Sequence, residues 1–272
     1  MATCSRQAFK KEARPTVKII ACYKIVPDEQ SIKINGDRTL DTSAAEKVIG
    51  QYDLNAVEAG ARLVESHGGE LIALTVGGAE VENSKLRKGI LSRGPSSCVV
   101  VRDDGIAGAD SSRTSAALAK AVAETGEYDL VLCGEGSSDL YAQQVGVQLG
   151  ERLGVPTVNG VVGIEYADDG FVTVSRDADG ELETLRIKLP AVISVSSGIN
   201  TLRIPGMKDI LAAGKKPFAV RTAQELELSD AAPSTTVSVL APEQHERACR
   251  IFKGDDADTV AAFAGAISAE LK

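Results

Sequence analysis

The chain has no tryptophan, only two histidines and 4% aromatic residues among its 272, and each scarcity removes a class of chemistry. Few aromatics leave a stacking platform for bases or sugar rings poorly supplied. His67, before Gly68-Gly69, and His245, in a charged segment, read as solvated surface groups rather than bases or ligands. Without clustered His or Cys there is no transition-metal site to propose. The five cysteines (Cys4, Cys22, Cys98, Cys133, Cys249) occur singly, none in a Cys-x-x-Cys pair, which is the usage of a cytoplasmic protein. Cys22, Cys98 and Cys133 lie in or beside apolar strand patterns, where a free thiol packs as a small hydrophobe. No Gly-x-Ser-x-Gly elbow, P-loop or complete Gly-x-Gly-x-x-Gly fingerprint is present. No apolar run approaches the ~20 residues of a membrane span, and residues 1–14 lack the apolar core of a signal peptide. The net charge of −8 argues against a nucleic-acid surface, which needs gathered Lys and Arg.

What is present is a chain 43% hydrophobic and 25% charged, enough for a full core. Strand and helix patterns alternate: strands over 17–23, 70–76, 98–102 and 130–133, with helices over 53–66, 84–92 and 112–124 between them. This predicts a doubly wound α/β fold with a mostly parallel sheet covered on both faces. After Pro156, strands over 158–166, 172–176 and 183–188, with turns at Asp168-Asp169-Gly170 and Asp179-Gly180, predict an antiparallel hairpin extension. A further buried strand follows over 190–195. Residues 198–217 read as loop with a short helix over 208–213. The expected organisation is a flexible leader over 1–15, a nucleotide-binding domain over 16–225, and a linker and C-terminal arm over 226–272. In that arm, residues 258–271 form an amphipathic helix with Val260, Phe263 and Ile267 on one side. It packs either on a partner or on its own domain.

The most informative stretch is 129–146, a buried strand opening into a small-residue loop and then a helix. Gly134 and Gly136 permit close backbone approach, while Ser137, Ser138 and Asp139 can cap the helix, which is expected to begin between residues 139 and 142. Its free N–H groups and positive dipole end suit a phosphate, although a capped turn with nothing bound fits the loop equally well. Ligands of open parallel sheets bind outside the strands' carboxyl ends, so the loops after Tyr23, Gly77 and Gly134 could converge on one pocket. With no evident acid, base or nucleophile, such a chain is a binding module or the holder of a cofactor that supplies the chemistry.

Residues 174–194, with Arg176, the turn Asp179-Gly180, Glu183, Leu185 and Pro190, resemble the signature of the electron transfer flavoprotein β subunit. The similarity extends over about residues 17–220, through Tyr52-Asp-Leu-Asn-Ala-Val-Glu58, Leu74-Thr-Val-Gly-Gly78, Gln143-Gln144 and Arg203-Ile-Pro-Gly-Met-Lys208. Residues 91–95, 136–146 and 251–267 resemble the Fix-type branch, which serves carnitine metabolism or nitrogen fixation. The resemblance implies an electron carrier that forms a heterodimer with an α subunit bearing the redox FAD. In the β subunit it implies AMP or, in electron-bifurcating members that accept hydride from NADH, a second FAD. Nucleotide contacts are implied at Cys22, Tyr23, Lys24, Tyr52, Asp53, Thr75, Val76, Gly77, Gly134, Gly136, Ser137, Ser138, Asp139, Gln143, Gln144, Val145 and Gly146. Val145 stands where AMP-binding members commonly carry Thr, and Gly50-Gln51 where they carry Asn-Pro; both departures suit a flavin diphosphate. The segment 200–216 resembles the loop that docks acyl-CoA-type or other flavin dehydrogenases, with Arg203, Ile204, Met207 and Lys208 as docking residues. Acceptors such as a quinone reductase or ferredoxin are implied downstream. A nucleotide-binding regulatory or sensor module without an α partner is the alternative, followed by a stand-alone nicotinamide dehydrogenase.

Overall fold

The computed structural model describes residues 16–106, 109–167, 170–228, 234, 236–243 and 249–271. The expected leader with Cys4, the Asp168-Asp169 turn, residues 229–233 of the expected linker and His245 lie outside the described residues. In chain order the elements are β1 (Val17–Cys22), β2 (Ile25–Pro27), β3 (Lys33–Ile34), β4 (Leu40–Asp41), β5 (Lys47–Ile49), α1 (Gln51–His67), β6 (Gly69–Gly77), α2 (Ser84–Leu91), β7 (Ser97–Arg102), α3 (Ser111–Glu124), β8 (Leu130–Gly134), α4 (Val145–Leu153), β9 (Thr157–Ala167), β10 (Phe171–Ala178), β11 (Glu181–Lys188), β12 (Ala191–Val195), α5 (Met207–Ala213), β13 (Phe218–Thr222) and α6 (Ala257–Glu270). Two compact units result. The larger runs to Lys33 and resumes over Asp41–Val239; the smaller joins Ile34–Leu40 to the segment that begins at Leu240.

The larger unit is built on a nine-stranded sheet in the order β11-β10-β9-β12-β8-β1-β6-β7-β13. From β9 to β13 along that order every pairing is parallel. The β10–β11 hairpin adds an antiparallel edge. Its turn places Asp179 at φ 54° and Gly180 at φ 85°, the left-handed pair that a two-residue hairpin of this twist requires. Alternate residues of β1 separate two cores. Val17, Ile19 and Ala21 pack with Ala56, Val57 and Leu63 of α1 and Ile90 and Leu91 of α2. Ile20 and Cys22 pack with Leu118 and Val122 of α3 and Leu149 of α4. This is the doubly wound α/β architecture expected from the alternation of strand and helix patterns. The chain runs from β1 outward through β6 and β7, then returns through α3 to β8 on the other side of β1. The β1/β8 boundary is therefore the topological switch point, where ligands of open α/β sheets bind.

Close helix–sheet packing depends on glycine. A Cβ on Gly60 would come within 2.7 Å of Leu71 Cδ1, and one on Gly150 within 1.7 Å of Thr157 Oγ1. Helices α1 and α4 consequently sit low on the sheet, and the chain enters each of them from the carboxyl edge, α4 after β8 and α1 after β1 and the short strands β2 to β5.

Besides the unforeseen short strands β2 to β5, two features differ from the sequence expectation. Helix α4 begins at Val145 rather than between residues 139 and 142. Tyr141 and Gln143 adopt φ of 46° and 56°, which breaks any helix there. The expected caps are engaged elsewhere, Asp139 with Lys24. The short strand β13, paired in register with β7 from Phe218↔Cys98 to Thr222↔Arg102, was not foreseen because five residues with no buried position carry no periodic signal. In the smaller unit, Ala241 N–H donates to Arg38 O at 2.9 Å and Arg38 pairs with Glu243 at 3.1 Å. Helix α6 there buries none of its residues.

Gly150→Ala is expected to lower unfolding free energy by about 1–3 kcal/mol, the usual range for overpacking. Adding Thr157→Ala, which removes the colliding hydroxyl, should restore part of it in denaturant titrations.

Candidate functional site

The site is organised by the first turn of α1. Gly50 N–H donates to Lys24 O at 2.9 Å, which joins the helix start to the residues just after β1. The Asp53 carboxylate then accepts the Lys24 N–H at 2.8 Å and lies against the backbone of Gly134, which brings the ends of β1 and β8 to one side chain at the switch point. Asp53 is buried. Burial raises its pKa to about 7, although the backbone at Lys24 and Gly134 and the nearby Lys24 charge oppose the shift. Gly134 is required here, since a Cβ would lie 2.7 Å from both Asp53 Oδ1 and Tyr52 Cβ.

Lys24 carries the second tie. Its Nζ donates to Asp139 Oδ2 at 2.6 Å and Oδ1 at 2.8 Å. Burial of Asp139 favours its neutral form, but hydrogen bonds from Lys24 and Ser137 outweigh this and hold its carboxyl below the usual range. The loop 135–144 is thus folded back toward β1. Tyr141 packs on Tyr52 with ring centroids 5.3 Å apart, and its hydroxyl donates to Glu135 at 2.9 Å. That bond to an acidic partner pushes the Tyr141 phenol up to about 12. The Tyr141 ring also fills the space beside Gly136, where a Cβ would approach to 2.5 Å.

Beyond this loop, α4 opens with Gln144 in the cap position and no side-chain cap. Gln144 is instead held by Ser111 Oγ at 2.7 Å, and Gly146 lies so near Ser194 that a Cβ would meet its Oγ at 2.2 Å. The first-turn N–H groups of α4 therefore face the carboxyl edge with no capping side chain among the described residues, an arrangement that attracts anions. Thr75, near the end of β6, is fully buried and its Oγ1 has no hydrogen-bond partner, a condition costly to leave unmet. The open helix end suits an anionic group; Thr75 shares the face of β6 that carries Leu71 and Ala73 of the α1/α2 core.

Of the residues implied by the resemblance, Lys24, Tyr52, Asp53, Gly134, Gly136, Ser137 and Asp139 form one connected cluster. Gln144, Val145 and Gly146 stand at the α4 entrance, with Gln143 exposed beside them. Cys22 and Cys133 lie in the α3/α4 core. Tyr23 points into the opposite core, its hydroxyl 3.4 Å from Cys98 Sγ. Gly77 turns into the next short helix, with Val81 and Glu80 against it. Tyr141, Glu135, Ser111 and Ser194 were not singled out in the sequence. Of these only Tyr141 carried a signal, as the one aromatic in a loop of small residues.

Among the docking residues, Ile204 and Met207 are 94% and 73% exposed and Lys208 is exposed. Arg203 is instead tied to Glu58 and Glu65. Among the described residues no helix is long and apolar enough to cross a membrane. Residues 37–226, well over half the chain, match the family model described as the electron transfer flavoprotein domain.

Replacing Asp53 tests the switch-point tie. A carboxyl whose folded pKa lies above its unfolded value stabilises the fold fully below pH ~4 and loses that contribution as pH rises through about 7. Compared with Asp53→Asn, the native chain should lose on the order of 1 kcal/mol of stability per pH unit across that window. Chemical denaturation of both proteins from pH 4 to 8 measures the difference, and parallel curves would refute the assignment.

Proposed function

The chain belongs to the electron transfer flavoprotein family, and on that premise we propose that it is the β subunit of a heterodimer, of the Fix-type branch, which relays electrons from flavin dehydrogenases to a downstream acceptor. The observation that carries the nucleotide part of this reading is the uncapped start of α4 at the β1/β8 switch point. The phosphates of an adenine nucleotide lie against the α4 N–H groups near Gln144, Val145 and Gly146. Lys24, paired with Asp139, holds the loop at the same edge, and Asp53 keeps β1, α1 and β8 together.

The bound nucleotide is a second FAD rather than AMP. Val145 lacks the hydroxyl that would favour a compact monophosphate. Bound FAD would supply hydride acceptance from NADH and electron passage, while the chain's own residues bind and orient it. The α subunit contributes the other flavin and covers the apolar face of α6. Unpaired cysteines at Cys22, Cys98, Cys133 and Cys249 support a cytoplasmic location.

Co-expression with an α-type subunit, acid release of nucleotides and their quantification test this directly. Two FAD per heterodimer are expected; one FAD with one AMP rejects bifurcation, and an empty β site rejects the nucleotide reading altogether. At the docking segment, Met207→Ala should leave flavin content unchanged and raise the KM for an acyl-CoA dehydrogenase donor about tenfold, equivalent to ~1.4 kcal/mol.

A further inference from the structure

Arg203 was expected to meet a partner, yet its guanidinium is already committed. Nε donates to Glu58 Oε2 at 2.7 Å, Nη1 to Glu65 Oε1 at 2.6 Å and Nη2 to Glu65 Oε2 at 3.2 Å. Its backbone N–H also donates to Glu58, at 3.3 Å. The Glu58 side chain is only 5% exposed. Burial alone would raise its pKa, but hydrogen bonds from Arg203 and Arg62 hold it below the usual range.

The same face of α1 continues the attachment on either side. Asn55 Nδ2 donates to Asn200 Oδ1 at 3.0 Å, Asn200 Nδ2 returns to Asn55 O at 3.0 Å, and Arg62 Nη2 donates to Thr201 O at 2.8 Å. Residues 55, 58, 62 and 65 fall at helical spacing on one stripe, and together they fasten 200–203 immediately before the exposed Ile204. Hydrophobic burial does little of this fastening. Ile204 is almost wholly solvent-exposed, and the loop borders a cavity of about 340 Å³ lined by Glu65, Arg203, Ile204, Asp209 and Lys216 among others. With Ile204 left in solvent, the fastening of 200–203 is carried largely by these polar ties from α1.

We propose that Arg203 is a positioning residue for partner docking: clamped between Glu58 and Glu65 of α1, it holds Ile204 and Met207 in the arrangement that a dehydrogenase meets, and does not itself contact the dehydrogenase. This rests on the docking role given above to 200–216. A preordered loop binds without the ordering cost that a free loop incurs on association. Lysine cannot replace the clamp fully, because a single ammonium lacks the planar fork that reaches both carboxylates.

The test uses the full αβ heterodimer, an acyl-CoA dehydrogenase as electron donor, and amide hydrogen exchange. Arg203→Met should raise exchange at least tenfold over 200–207 and raise the KM for the donor about five- to tenfold with kcat and flavin content unchanged. Arg203→Lys should fall between Arg203→Met and the native protein. Because a buried Glu58 without its partner could unfold the chain, Arg203→Met with Glu58→Gln is a second variant expected to show the same loosened loop in a folded protein. Unchanged exchange over 200–207 in either variant overturns the clamp. Loosened exchange with native KM, while Met207→Ala raises KM, overturns the positioning role alone. Native KM in Met207→Ala removes the docking reading, and the positioning role with it.

Discussion

One buried carboxylate closes the gap at the centre of the sheet. At the switch point the connections leave β1 and β8 in opposite directions, so no crossover helix spans the two strand ends. Asp53, from the first turn of α1, accepts the Lys24 N–H after β1 and packs against Gly134 at the end of β8, and so bridges the two strand ends in place of that missing connection. The cost is visible in a pKa near 7, because burial disfavours the charge that makes the carboxylate a good acceptor. Every other contact at the edge is referred to this one. Lys24 is positioned to pair with Asp139, the loop 135–144 folds back, Tyr141 reaches Tyr52, and α4 is left to start late with its end uncovered.

Helix α1 carries two separate jobs on two faces. Its apolar face, with Ala56, Val57, Gly60 and Leu63, lies on the sheet, and Gly60 allows the approach. Its polar stripe is partly buried, which is tolerable only when the groups are bonded. Glu58 satisfies this through Arg62 and Arg203, and Asn55 through its amide donors, although Asn55 Oδ1 remains without a partner. The helix therefore joins a cofactor-type edge at its N-terminus to a surface loop along its flank, without either depending on apolar contacts to the other.

How much of this was legible in the sequence follows from what makes a pattern periodic. Strands such as Leu130–Gly134 and Ala191–Val195 are buried on both faces over nearly their whole length, so near-continuous apolar runs, broken only by Ser194 in the second, announce them. The alternation of such runs with helical spacing was enough to set the architecture and its carboxyl edge. Short β2 to β5 and the edge strand β13 have no such signature, because their pairing is decided by neighbours distant in the chain. The start of α4 was misjudged for a related reason. Ser137, Ser138 and Asp139 have the composition of a cap, but the tertiary pull of Lys24 on Asp139 and of Tyr52 on Tyr141 takes the loop first. Arg203 illustrates the same limit, since a charged residue in an exposed segment reads as a contact for others until the acidic stripe of α1 is seen beneath it.

Each unit of the chain leaves apolar side chains uncovered in its own way. In the larger unit Ile204, Met207 and Leu211 stand out from a segment fixed by ionic and amide bonds. In the smaller unit Ile251, Val260, Phe263 and Ile267 are exposed around a helix that buries nothing. Surfaces of this kind are unfavourable on a free monomer and are usually covered by a partner. Their supports suggest different lifetimes. A rigidly held, small apolar tip suits an encounter that must form and dissolve with each electron delivered, because little reorganises on binding. A helix whose one aromatic contact, Phe263 on Phe252, leaves all of its residues unburied suits a permanent cover, since its own unit cannot bury it. On the proposed function the first belongs to the dehydrogenase and the second to the α subunit, and the chain on its own is an incomplete structure that these two associations finish.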